Sequence, residues 1–253
     1  MQGSLGQLGQ SANHFLAMLN TDVTQQQVYA LRKLDQIVDY QWHEISDVLP
    51  KIEFLVDEPE FPERALAASV GSKVFYHLEE YDDALRLALE AGDKFDILRE
   101  DQYVQTLVHR CIDSYTEKRV ALYEKKQEGV VVDPRMEAIV NRKFDQCFAE
   151  GKFKQAIGIA LETKRIDMVK ASIERAENPE RMLAYAFTLA TETIRSKDFR
   201  TEILQVILDV YEARPETGTS TDHDYYKIAK CQFHLNVPEL SAKLLLKLLS
   251  AGK

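Results

Sequence analysis

The chain has 253 residues, with 32 basic against 41 acidic side chains and a formal charge of −9. Apolar residues at 45% and charged residues at 29% are the balance of a folded, soluble chain and exclude a disordered one. No stretch approaches the roughly 18 uninterrupted apolar residues of a membrane span, and Met1 to Gln10 lacks the basic and apolar regions of a secretory signal.

The apolar spacing is helical almost throughout. A short helix is expected over 10–19, then helices over 24–41 and 43–56. In the last of these, Ile45, Val48, Leu49, Ile52, Leu55 and Val56 form one stripe across Pro50, whose missing N–H should kink or split the helix. Trp42, the single tryptophan, ends a helix stripe and is expected to anchor the core. The acidic connector Asp57-Glu58-Pro59-Glu60, with Pro62 after it, leads to helices over 61–78 and 80–91. Gly71 lies inside the first of this pair and should weaken it by roughly 1 kcal/mol or less. A helix over 101–122 carries Val104, Leu107, Val108, Cys111, Ile112 and Tyr115 as a continuous stripe.

A polar break from Glu124 to Asp133, with Lys125-Lys126 as a solvated turn, separates the two halves. Asp133-Pro134 is an N-cap followed by an N1 proline, and it opens a helix over 134–149 with Met136, Ile139, Val140, Phe144, Cys147 and Phe148 on one face. Helices follow over 153–163, 165–175, 179–194 and 198–212, the third starting at Asn178-Pro179 and the fourth carrying Ile203, Val206, Ile207, Val210 and Tyr211. A loop from Thr217 to Asp222 precedes helices over 223–234 and 238–250, the latter starting at Val237-Pro238. Its leucines Leu240, Leu244, Leu245 and Leu248 form a stripe that should meet a further repeat. No alternating run of Val, Ile and Thr bounded by turn residues appears, so no sheet is expected. The fold class is all-α, and the short connections make successive helices antiparallel neighbours.

One internal repeat is visible. Tyr81-Asp82-Asp83-Ala84-Leu85 with Ala88-Leu89 resembles Phe153-Lys154-Gln155-Ala156-Ile157 with Ala160-Leu161, at an offset of 72 residues. That is two helical hairpins of tetratricopeptide-like length, with small alanines allowing close helix approach and an aromatic filling the gap to the next hairpin. An α-solenoid, a rod of antiparallel hairpins each depending on the next for burial, is the architecture expected.

The sequence carries no pattern of reactive residues. His14, His43, His77, His109, His223 and His234 show no metal-ligand spacing, and Cys111, Cys147 and Cys231 have none of the pairing of a metal or redox motif. Three widely spaced cysteines fit reduced thiols in a cytosolic or nuclear protein, and Cys111 and Cys147 fall on core stripes. No phosphate-cradling glycine loop or nucleophile elbow occurs. Glu79-Glu80 and Asp82-Asp83 flank a helix start, where capping and the helix dipole account for them. No catalytic, cofactor-binding or metal residue is therefore assigned, and no cofactor or small-molecule substrate is expected. Residues 1–126 hold 22 acidic and 13 basic side chains while 127–253 hold 19 of each, which disfavours nucleic acid as a partner.

Several strings carry a family resemblance: Ser72-Lys73-Val74-Phe75-Tyr76-His77-Leu78, Arg110 to Thr116, the ten residues Lys154 to Thr163, and Met182-Leu183-Ala184-Tyr185. Together they resemble the N-terminal region of the non-ATPase subunit 1 family of the 26S proteasome regulatory particle, the larger of its two proteasome/cyclosome-repeat scaffold subunits. The resemblance covers roughly residues 24 to 245. Gly71 stands where the family usually has Ala, and Pro50 interrupts a helix the family normally continues.

The resemblance implies a variable segment with a short helix over 1–23 and a helical-repeat rod over 24–253 that ends before the family's toroid of repeats. It implies a non-enzymatic scaffold that positions lid subunits, ubiquitin receptors and the ATPase ring for ubiquitin-dependent degradation, in cytoplasm and nucleus. The alternative is a free tetratricopeptide-type peptide-binding adaptor, which would need a concave and often basic groove.

Overall fold

The structure, a computed structural model, describes residues 12–124, 131–213 and 221–250. Every regular element among them is helical. Residues 1–115 with 133–139 form one compact unit, and residues 116–132 with 140–253 form another.

The first unit contains α1 (Asn13–Leu19), α2 (Thr24–Ile45), α3 (Leu49–Asp57), α4 (Arg64–His77) and α5 (Tyr81–Ala91). It also takes in the start of α6 (Gln102–Tyr123) and of α7 (Pro134–Ala149). Helix α4 packs against α2, α3 and α5. Its residues Leu66, Ala67, Ala68, Ser69, Val70, Gly71 and Ser72 are all buried, so this stretch is covered on every side. Small side chains make that possible, because they let three neighbours approach one axis closely.

Gly71 is part of this design and not simply a weak point in the helix. A Cβ there would lie 2.7 Å from Leu87 Cδ1 and 3.2 Å from Ile52 Cγ2, so side chains of α3 and α5 occupy the space an alanine would need.

Pro50 splits the helix expected over 43–56. Helix α2 runs on to Ile45, a 3-10 turn covers Ser46–Val48, and α3 starts at Leu49 with the proline in its first turn. There the missing N–H would have had no intrahelical partner. Ile45, Leu49, Ile52, Leu55 and Val56 still share a buried face. The boundary expected between 41 and 43 is a kink inside α2, where Gln41 has φ −122 and ψ 22.

The second unit holds the remainder of α6 and α7 with α8 (Phe153–Glu162), α9 (Ile166–Glu174), α10 (Pro179–Glu192), α11 (Lys197–Glu212), α12 (Thr221–Leu235) and α13 (Pro238–Ser250). From α8 onward each helix packs on the next, and α8 also meets α10 as α9 meets α11. Phe144, Ile157, Ile173, Leu183, Phe199, Ile203 and Ile207 are fully buried at the centre of these pairs. Asn178 caps α10, its Oδ1 accepting from Arg181 N at 2.9 Å. In the first unit, Asp133 Oδ1 likewise accepts from Arg135 N at 2.8 Å at the start of α7. Of the loop expected over 217–222, Thr221 and Asp222 belong to α12. Residues 217–220, like Lys125-Lys126, lie outside the described residues.

Four hairpins turn in the same way. Glu79, Gly151, Lys164 and Asn236 have φ of 63, 68, 56 and 56, and one further residue separates each from the next helix. Glu80 N donates to Phe75 O, Lys152 N to Cys147 O, Arg165 N to Ala160 O and Val237 N to Gln232 O, at 2.8 to 3.2 Å. This is the left-handed helix ending in which the closing N–H reaches back five residues.

The repeat read from sequence reappears here. Tyr76 and Tyr81 face each other across one corner, and Phe148 and Phe153 across another, each with ring centroids 6.0 Å apart. Ala84, Ala88, Ala156 and Ala160 are all buried.

Candidate functional site

Cys111, Cys147 and Cys231 are buried. Cys111 Sγ donates to Met136 O at 3.9 Å. Burial pushes the Cys147 thiol up from its ordinary value and that of Cys231 up to about 12, so neither is a ready thiolate. Among the described residues no group of three or more His, Cys, Asp or Glu side chains could hold a metal ion. Of the six histidines, the His223 side chain lies outside the described ones, while His14, His43, His109 and His234 are exposed. Among the described residues no helix is long and apolar enough to cross a membrane.

The carboxylates around the α5 start do not cap it as expected. Glu80 sits at the N-cap position without a side-chain hydrogen bond, and Glu79 forms the left-handed corner. Asp82 receives Arg110 through two oxygens at 2.7 and 2.9 Å, and Asp83 receives Arg86. Asp82 and Asp83 thus lie in the first turn, where the helix dipole favours them, while serving as ion-pair partners.

Two cavities among the described residues lie each within a single unit. One of about 200 Å³ in the first unit is lined by Asp35, Ser69, Lys73, Phe95, Arg99 and Tyr103, among others. Lys73 Nζ donates to Asp35 Oδ1 at 2.7 Å across it. Ser72 Oγ donates to Ala84 O at 2.6 Å and lies 2.8 Å from the Tyr103 hydroxyl. Burial pushes the Tyr103 phenol up to about 12, so it holds its proton at neutral pH. The other cavity, about 450 Å³ in the second unit, is lined by Gly151, Lys152, Phe153, Lys154, Gln155, Arg181 and Met182.

The surface offers more. Tyr40, Phe54, Tyr226 and Phe233 are exposed aromatics. On α13, Leu240, Leu245, Leu246 and Leu249 are exposed, while Leu244 and Leu248 are half-buried. Trp42 is half-buried and not a core anchor, because the kink at Gln41 takes it out of the stripe of Leu31, Leu34 and Val38. Its indole stacks on His77 at 5.8 Å with the planes 10° apart. His77 Nε2 lies 3.6 Å from Asp39 Oδ1. Sequence spacing could not show this arrangement, because it depends on a single non-helical residue.

A family model described as "26S proteasome subunit RPN2, N-terminal domain" matches residues 10–253. The chain is 40% identical over 235 residues to the 26S proteasome non-ATPase regulatory subunit 1 of Drosophila melanogaster, a match covering 93% of this chain and 22% of that protein. It is 37% identical over 240 residues to the 26S proteasome regulatory subunit rpn2 of Schizosaccharomyces pombe, covering 95% and 24%. It is 32% identical over 247 residues to the 26S proteasome regulatory subunit RPN2 of Saccharomyces cerevisiae, covering 94% and 26%. The chain therefore spans about a quarter of the length of these curated relatives.

Proposed function

Since the chain belongs to the family of the 26S proteasome subunit RPN2 N-terminal domain, we propose that it is a non-catalytic scaffold segment of the proteasome regulatory particle. Its relatives carry the name of regulatory, non-ATPase subunits. The observation that carries the reading is a family match running through nearly the whole chain, on a fold made of helical hairpins. Stacked hairpins hold side chains at fixed spacing, which suits a part whose work is geometric. In this reading the helices present surfaces to lid subunits and to the ATPase ring, ubiquitin receptors are held by the same particle, and the protein resides in cytoplasm and nucleus. The variable segment is 1–23, and the helical repeats of 24–253 precede a ring of further repeats.

Purification through an affinity tag at the natural locus tests this. Lid and ATPase subunits are expected to come down with the protein in fixed proportion. Recovery without any proteasome component would overturn it.

A further inference from the structure

The corner between α4 and α5 carries a continuous chain of aromatic rings. Trp42, His77, Tyr76, Tyr103 and Phe95 follow one another with centroids 5.3 to 5.9 Å apart, and Tyr81 joins at Tyr76. Phe95 at the inner end is 6% exposed, Tyr81 at the outer end is 37% exposed, and Tyr40, near Trp42 in sequence, is 69% exposed. A surface ring held by a chain of rings rooted in the core loses little side-chain freedom when something binds to it.

Carboxylates surround the outer end. Glu79 and Glu80 are exposed three and four residues after Tyr76, and the Asp39 side chain, 66% exposed, lies against His77. Nearby cations are already engaged elsewhere: Lys73 with Asp35, Arg110 with Asp82, and Arg86 with Asp83 and Glu53. Among the described residues no cation pairs with Glu79 or Glu80. The patch is therefore aromatic and acidic together.

We propose that this corner docks an arginine-presenting segment of a partner protein, with the guanidinium lying against the Tyr76 and Tyr81 rings and Glu79 and Glu80 accepting its N–H groups. A guanidinium is planar, stacks on aromatic faces, and offers five donors in a fork that matches carboxylates, which a lysine ammonium does not. A purely apolar partner helix would leave Glu79 and Glu80 desolvated without partners, and a phosphate backbone would be repelled. Trp, Tyr and Arg are also the side chains that carry most binding energy at protein interfaces. The inference rests on the scaffold reading in that the partner is a protein.

The test places the photo-crosslinking residue benzoylphenylalanine at Tyr40 or at Tyr81 in the protein at its natural locus, and the adducts are mapped by mass spectrometry. The expected adduct is a single protein segment containing an arginine within a few residues of the crosslink. Glu79→Lys/Glu80→Lys should lower its yield at least tenfold with the circular dichroism spectrum unchanged. Arg→Lys in the captured segment should weaken it severalfold. A yield indifferent to the charge reversal, a captured segment without arginine, or no adduct would overturn the proposal. If proteasome subunits still co-purify in those cases, the scaffold reading stands and only the docking surface falls. An arginine-bearing adduct from a protein outside the proteasome does the reverse.

Discussion

Glu79 and Gly151 hold the same left-handed backbone, φ 63 and φ 68, at hairpin corners 72 residues apart. Glycine visits this region freely, whereas a residue with a Cβ is strained there by roughly 1–2 kcal/mol. The geometry is thus kept at both corners while the residue best suited to it is present at only one.

Exchanging the two residue types should have opposite effects. Glu79→Gly is expected to stabilise the chain by about 0.5–1 kcal/mol, once the freedom gained by the unfolded glycine is subtracted. Gly151→Ala should cost about 1 kcal/mol, and purely through the backbone, because nothing lies within 4 Å of the added Cβ. Thermal unfolding followed by circular dichroism should move by about 2–4 °C in each direction.

Gly71→Ala should destabilise, although alanine is the better helix former. The gain in propensity is about 1 kcal/mol, but Leu87 and Ile52, both fully buried, would have to give way. Overpacking of that kind costs about 1–3 kcal/mol. Adding Leu87→Val should recover part of the loss, and urea titrations of the single and double variants measure it.

Alkaline pH should weaken the fold. The Tyr103 phenol keeps its proton in the fold to about 12, while an unfolded phenol releases it near 10. The unfolded chain then binds fewer protons, so this contribution is complete below pH 10 and declines as the pH rises from 10 through 12. Tyr103→Phe should flatten that decline without abolishing it, since Tyr123 and Cys231 are also pushed up to about 12. Denaturant midpoints measured between pH 8 and 12 give the slope.

The thiols should be silent in the folded protein. Cys111, Cys147 and Cys231 are buried, and burial raises the latter two above their ordinary range. A thiol-reactive chromophore at pH 8 should find none of them quickly and all three after denaturation.

Trp42 is the only tryptophan, so its emission reports on one place. His77→Ala removes the imidazole stacked on the indole and should shift emission to longer wavelength. An unchanged spectrum would show that the two rings do not stack in solution.

Most helix positions were legible in the sequence because their signals are local. Asp133-Pro134 and Asn178-Pro179 start helices by supplying a side-chain acceptor and a pre-set φ, and they do so here. Pro50 was legible as a break, but whether as a kink or a restart depended on the turn at Ser46–Val48. The hairpin corners were not legible at Glu79, Lys164 and Asn236, because hairpin packing holds them where a lone peptide would prefer glycine. The role of Gly71 is not visible in sequence because it lies in Leu87 and Ile52, neither a sequence neighbour. The aromatic corner needed Trp42 and His77, 35 positions apart, to be brought together by packing of α2 on α4.

The two-residue corners also act on the helices that follow them. One extra residue between Glu79 and Tyr81 would advance α5 by about 100° about its axis, swinging Ala84, Leu85 and Ala88 away from α4. Residues 95–101, which join α5 to α6 without a helix, carry no such phase requirement. A chain of this family can therefore vary the chemistry of a corner more freely than its length, and insertions are best absorbed between hairpins and not within them.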